Sequence, residues 1–271
     1  MMDDLTDIRE FYNAAWDAEA NRLERHQLEA DITWRYLNLY LPPRGRLLEI
    51  GFGTGFYTFS LAERGYQITA VDLADEYVTR CRAKAEELGL SDQIDFRTGD
   101  ARNLEGIPRG EFEAILLMGP LYHLLLETNR TAALRSAYTS LKPGGVIFSA
   151  MISRFGILGD LIKDNPSWIE NQEAVWSHIE QGHRPANAPK GGFRGYYVRQ
   201  EEIAPMHERV GFRTLKIAGV EPAISTNDES YNTLEGKQRD LWLDLLFEIS
   251  AEQSMVASSR HILYIGQRPD D

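Results

Sequence analysis

The chain has 271 residues, 43% of them hydrophobic and 26% charged, with a formal charge of −12. That size suits one α/β fold carrying an insertion, and the composition excludes disordered and membrane-embedded classes. The acidic balance repels a phosphate backbone unless a basic face offsets it, and Lys and Arg are scattered among acids, so no nucleic-acid partner is expected.

The start, Met1-Met2-Asp3-Asp4, lacks the basic and apolar regions of a signal peptide. Residues 5–41 read as helical. Leu28, Ile32, Tyr36 and Leu39 recur at helical spacing, and Pro42-Pro43 stops the run. Phe11, Tyr12 and Trp16 cluster on about one face of a first helix; they either pack on the domain or fold over a bound ligand.

Next comes Leu47-Leu48-Glu49-Ile50-Gly51-Phe52-Gly53-Thr54-Gly55-Phe56-Tyr57, an apolar run that breaks into three alternating glycines and resumes with helical spacing. This is a strand, a tight turn and a helix start, which lets backbone approach a nucleotide-type ligand closely. A dinucleotide fingerprint would put its third glycine at position 56, where Phe56 stands. The stretch resembles motif I, E/D-x-G-x-G-x-G, of the class I S-adenosylmethionine-dependent methyltransferases. The resemblance implies a Rossmann-like α/β fold: a seven-stranded doubly wound sheet, mostly parallel with an antiparallel last strand. It implies S-adenosylmethionine as cofactor, held by Glu49, Gly51, Phe52, Gly53 and Gly55 here and by Leu73 and Met118 further on. In similar methyltransferases an N-terminal helix with an F/Y-Y pair covers the cofactor, which makes Tyr12 a candidate. The expected organisation is an N-terminal helical lid over 1–43, a cofactor-binding core over 44–153, an inserted substrate cap over 154–200 and completion of the sheet over 201–271.

A helix from about Phe56 to Arg64 ends at Gly65. Gln67–Val71 is a β-branched, buried strand running into Asp72. An acid at the tip of the second strand is positioned to accept from both ribose hydroxyls, though Asp is also a favoured N-cap. The following helix carries Tyr77, Val78, Cys81, Ala85 and Leu88 on its apolar side and stops at Gly89. Cys81, the sole cysteine, reads as core packing; it excludes an internal disulfide and points to a reducing cytoplasm. Ile94–Thr98 alternates like a strand and leads to Gly99-Asp100-Ala101. The family resemblance puts Asp100 on the adenine amine and the Ala101 amide on a ring nitrogen; a polar turn is the alternative.

Phe112–Met118 is the fourth strand, ending in Gly119-Pro120-Leu121-Tyr122-His123-Leu124. Gly119, Pro120 and His123 interrupt the longest apolar run, Ala114 to Leu126, which is too short for a bilayer, so no membrane partner is expected. Ligands of open α/β sheets bind outside the carboxyl ends of the strands, so Tyr122 and His123 are the candidate catalytic and substrate-contacting residues. His123 is either a general base or a hydrogen-bonded structural residue. The segment G-P-L-Y-H-L also resembles a bacterial subgroup of the same family, and Leu141-Lys142-Pro143-Gly144-Gly145 before the fifth strand is a frequent feature of it.

Residues 154–200 exceed an ordinary αβ connection and read as an insertion. Arg154, Tyr196 and Tyr197 are candidate substrate contacts there, beside a Pro/Gly-rich stretch from Pro185 to Gly195. His178 and His183 lack a third ligand at metal spacing, so no metal is expected. Phe212–Val220 reads as the sixth strand. An amphipathic helix with Leu241, Leu245, Leu246 and Ile249 follows, where Trp242 is a packing residue or a homodimer contact, and His261–Gly266 is the last strand.

The expected function is in-line methyl transfer from S-adenosylmethionine to an O, N or S nucleophile of a small molecule. A methyltransferase acting on tRNA or a peptide, an NAD-dependent oxidoreductase and a non-catalytic cofactor binder are the rival readings.

Overall fold

The computed structural model describes residues 4–185 and 193–270. Met1-Met2-Asp3 and most of the Pro/Gly-rich stretch, 186–192, lie outside the described residues. Eight strands form one sheet: β1 (Arg46–Ile50), β2 (Gln67–Asp72), β3 (Ile94–Thr98), β4 (Phe112–Leu117), β5 (Leu141–Ser153), β6 (Tyr197–Val198), β7 (Arg213–Gly219) and β8 (His261–Gln267). Their order is β3-β2-β1-β4-β5-β8-β7, with β6 attached to β5 off this path. β1 to β5 run parallel, and β8 is antiparallel to both β5 and β7. The seven expected strands are present with the expected antiparallel last strand. The eighth is the two-residue β6, which the 154–200 segment adds beside Ile152 and Ser153.

Alternation along the strands builds two cores, one on each face. Leu47, Ala114, Leu116 and Phe148 enter one cluster, while Leu48, Ile115, Leu117 and Ile147 enter the other. A parallel sheet covered on both faces needs such unbroken apolar runs. Burying each of the Leu, Ile and Phe side chains among these contributes about 1.5–3 kcal/mol.

Helices over Thr6–Ala14, Trp16–Glu19, Arg22–Arg25 and Gln27–Tyr40 make up the helical segment expected over 5–41. The short pieces follow one another around the cavity described below, a path one straight helix does not take. The helix before β5 spans Glu127–Ser140, and strand pairing begins at Leu141 with a register shift between Phe112 and Ala114. Lys142-Pro143-Gly144-Gly145 is therefore an irregular opening of β5 and not a separate turn. The 154–200 segment holds helices Leu158–Asp164 and Gln172–Gln181. Among the described residues no helix is long and apolar enough to cross a membrane.

Candidate active site

The crossover between β1 and β4 opens a crevice at the carboxyl edge of the sheet, where open α/β folds bind ligands. The main cavity lies there. The glycine turn after β1 forms its floor: Gly51, Phe52 and Gly53 line it, with φ +77° at Gly51 and +55° at Gly53. A Cβ on Gly51 would stand 2.5 Å from Pro120 Cδ, so no larger residue fits against the β4 loop. A Cβ on Gly53 would meet no protein atom within 4 Å, which leaves open space over the turn. Gly55 is not a lining residue; it caps the helix Phe56–Glu63 in a left-handed conformation, against the ring of Phe59.

All three strand-tip acids reach the cavity lining. Asp72 is tied to backbone: its Oδ2 accepts from Gly53 N–H at 3.0 Å and its Oδ1 from Ala74 N–H at 2.9 Å. Burial pushes the Asp72 carboxyl up, and these amide donors hold it back. The helix that follows starts at Asp75 with Ala74 as its N-cap, so Asp72 braces the glycine turn instead of capping. Glu49 is 2% exposed and accepts from Thr58 Oγ1 at 2.5 Å. Burial, with the charge of Asp72 added, pushes its carboxyl up to about 8 despite the Thr58 bond. Asp100 is engaged by Arg102, whose Nη2 lies 2.6 Å from Oδ2. An adenine amine therefore has to share this carboxylate with a guanidinium, a partner the spacing of Asp100 does not reveal. Leu73, Ala101 and Met118 complete the expected set, and all three line the cavity.

Tyr122 and His123 sit on a single helical turn, Pro120–His123, and both line the cavity. His123 Nδ1 lies 2.9 Å from the Arg194 carbonyl, which only accepts, so Nδ1 carries the proton. Nε2 then accepts from the Tyr12 hydroxyl at 2.7 Å. Burial lowers the imidazole to about 4, and the ring is neutral at physiological pH. Both nitrogens are thus occupied, which removes His123 as an unassisted base. Tyr12 packs edge-on against both His123 and Tyr77.

Arg154, Tyr196 and Tyr197 do not line the cavity. Arg154 is 2% exposed and spends its guanidinium on the Tyr197 carbonyl and Glu202. Tyr196 donates to Glu202 Oε2 at 2.6 Å and lies under Arg130. Tyr197 belongs to β6, beside His178. A sequence reading sees their polarity but not that they satisfy one another. It also missed Arg22, Tyr57 and Tyr77, which line the cavity. Tyr77 and Tyr57 read as apolar helix positions, and nothing local distinguishes Arg22 from its charged neighbours.

Two observations test whether S-adenosylmethionine fits: the unfilled space over Gly53, and the buried Tyr77 hydroxyl, which has no hydrogen-bond partner among the described residues. Both fit a ligand laid along the glycine turn with acids at its two ends. Glu49, Gly51, Phe52, Gly53, Asp72 and Asp100 are the residues that would hold it.

Comparison with known proteins agrees. Residues 47–145 match the family described as "Methyltransferase domain". A ubiquinone biosynthesis O-methyltransferase of Xanthomonas axonopodis pv. citri is 34% identical over 143 residues, 52% of this chain and 57% of that protein. The chain thus spans little more than half the length of the curated relatives it matches. A methyltransferase of Haloferax volcanii, solved with the Trm112 activator, superposes with TM-score 0.62 at 15% identity, over 97% of each chain. The 1,6-didemethyltoxoflavin N1-methyltransferase of Burkholderia thailandensis, solved with its substrate and S-adenosylhomocysteine, gives TM-score 0.60 at 15% identity over 97% of this chain and 88% of its own. These two share the fold. With motif I folded as a floor beneath strand-tip acids, residues 47–145 carry the features of the methyltransferase-domain family whose model they match.

Proposed function

We propose that the protein transfers the methyl group of S-adenosylmethionine to an O, N or S nucleophile of a small molecule. One observation carries the reading: Glu49, Asp72 and Asp100 line a single cavity that continues to Tyr122 and His123 beyond β4. The cofactor supplies an activated methyl group, so the protein's task is positioning and exclusion of water, worth roughly 7–11 kcal/mol of barrier. Glu49 and Asp72 bind and orient it, and Tyr12 covers it. Residues 1–43 act as the lid, 44–153 as the cofactor core, 154–200 as the substrate cap and 201–271 as the completion of the sheet. Support for the lid comes from Arg194, which pairs with Asp7 at 3.4 Å and donates to the Asp4 carbonyl while its own carbonyl fixes His123.

A small acceptor, with no nucleic acid, is supported by the charge of −12 and by the enclosure of Tyr122 and His123. The single cysteine supports a cytoplasmic location. Exposed Leu241, Trp242 and Leu245 on one helix support a homodimer contact. Calorimetric titration with S-adenosylhomocysteine, followed by tritiated methyl transfer to small-molecule acceptors, tests the reading. Failure of S-adenosylhomocysteine to bind sinks it.

A further inference from the structure

We infer that His261, oriented by Glu221, is the general base of this reaction and that the acceptor presents it with a phenolic hydroxyl. The inference rests on the methyl-transfer reading above and deepens it at the acceptor end.

Topology brings the two residues to the right edge. β8 starts at His261, paired with Ile152 near the end of β5, and β7 ends at Gly219 just before Glu221. Both therefore lie at the carboxyl edge of the parallel strands. A smaller cavity opens there, lined by Thr33, Ala150, Val220, His261 and Leu263 among others. It shares Arg22, Tyr57, Met118 and Tyr122 with the main cavity, so the two adjoin. With the cofactor over β1 to β3, the space past β4 and β5 falls to the acceptor.

The local chemistry makes His261 a base. Its Nδ1 stands 2.7 Å from Glu221 Oε1. Glu221 is fully buried; burial opposes its charge, but His261 and Arg260 more than offset this and hold the carboxyl below its usual range. An ionised carboxylate only accepts, so Nδ1 carries the proton, and in the neutral ring Nε2 keeps its lone pair. Among the described residues nothing hydrogen-bonds Nε2. His123 differs, since both its nitrogens are taken.

The other charged groups around the ring are Glu29, 3.4 Å from Nδ1 and clamped by Arg22, and Arg260, whose Nε also lies 3.4 Å from Nδ1 and which binds Glu221, Asp160 and Asp228 with His26 behind. Glu29, Glu221 and His261 also offer atoms within 4.8 Å of one another, a metal-like spacing. Their carboxylates are already bound by the two guanidinium groups, which supply the positive charge a cation would bring.

In the reaction the acceptor O–H gives its proton to His261 Nε2 while the oxygen takes the methyl group. The electron pair of the broken S–C bond stays on sulfur, and the imidazolium later returns the proton to solvent. A hydroxyl and S-adenosylmethionine thus become a methyl ether, S-adenosylhomocysteine and one proton. A carboxylic acid arrives ionised and needs no base, whereas a phenol, with pKa of about 10, does. The walls of Tyr57, Met118, Val220 and Leu263 suit its ring.

The test begins with wild-type protein saturated with S-adenosylhomocysteine and labelled with 15N-histidine. The expected spectrum shows His261 with its proton on Nδ1 and a bare Nε2; a proton resting on Nε2 overturns the assignment, whatever the variants do. Catechol and 4-nitrocatechol then serve as acceptors with tritiated S-adenosylmethionine. His261→Gln should keep its affinity for S-adenosylhomocysteine, lose about 10²–10⁴-fold in rate on catechol, and recover on 4-nitrocatechol, which ionises without help. Equal losses on both phenols mark a structural role and overturn the base. A wild type that binds S-adenosylhomocysteine but methylates neither phenol overturns the hydroxyl acceptor while sparing the methyl-transfer reading. Failure to bind S-adenosylhomocysteine sinks that reading, and the base with it. Activity lost to a chelator and restored by magnesium overturns the inference in favour of a metal.

Discussion

The hydroxyl of Tyr12 donates to Nε2 of His123 across 2.7 Å, joining the N-terminal helix to the loop after β4, 111 residues away. The Arg194 carbonyl holds the opposite nitrogen at 2.9 Å, so three separated segments meet on one neutral ring. Tyr12→Phe removes the bond while keeping the ring contacts with Tyr77 and His123. It should speed dissociation of S-adenosylhomocysteine several-fold and leave a buried nitrogen unpaired, destabilising the fold by about 1–3 kcal/mol. Stopped-flow dissociation and chemical denaturation measure the two effects.

Acid should weaken the fold through the same ring. Burial lowers His123 from 6.5 to about 4, and His207, held between Ser149 and the Ile203 carbonyl, shifts equally for the same reason. The unfolded chain binds these protons first, so the contribution of these two rings is full above pH 6.5 and falls as pH drops towards 4. Each shift amounts to about 3 kcal/mol at most. Denaturation midpoints across this range should fall, and His207→Asn should flatten the slope.

Glu49 makes cofactor binding a proton-coupled event. With its carboxyl at about 8, the empty site is protonated at neutral pH. A cationic cofactor beside it favours the carboxylate, so binding should release a proton and strengthen as pH rises from 4.5 towards 8. Calorimetry in buffers of different ionisation enthalpy reads the proton directly. Glu49→Gln should abolish the release and lose about 1.5–3 kcal/mol of affinity. The raised value also costs the empty protein stability as pH climbs through the same window, a cost the variant lacks.

Asp72 braces the glycine turn, and in the proposed function it also binds the cofactor. Asp72→Ala frees the Gly53 and Ala74 amides, so it should weaken S-adenosylhomocysteine by about 1.5–3 kcal/mol and also lower stability by about 1–3 kcal/mol. A variant with lost affinity and unchanged stability would show that the brace contributes nothing.

Tyr77 offers the opposite sign. Its buried hydroxyl has no partner among the described residues, so Tyr77→Phe removes a desolvated group without leaving another behind. The empty protein should hold or gain stability, by up to about 1 kcal/mol. Its affinity for S-adenosylhomocysteine should fall, because Tyr77 lines the cavity where the ligand would offer that hydroxyl a partner. Melting curves with and without the ligand separate the two.

The sequence by itself determined whatever rests on neighbours along the chain. Alternating apolar residues give strands with two buried faces, and the spacing of Gly51, Gly53 and Gly55 gives the turn, because backbone conformation and side-chain period are local. It also placed Glu49, Asp72 and Asp100 at strand tips, since a strand's end is visible where its pattern stops. Tertiary structure alone decided which side chains are left free. Arg102 claims Asp100, Tyr12 claims His123, and Arg154 is spent on Glu202, while among the described residues His261 keeps a nitrogen, at the edge where β7 ends and β8 begins. A hydrogen bond between residues 111 apart has no trace in the sequence, for its partner is chosen by how the strands cross and not by what lies next in the chain.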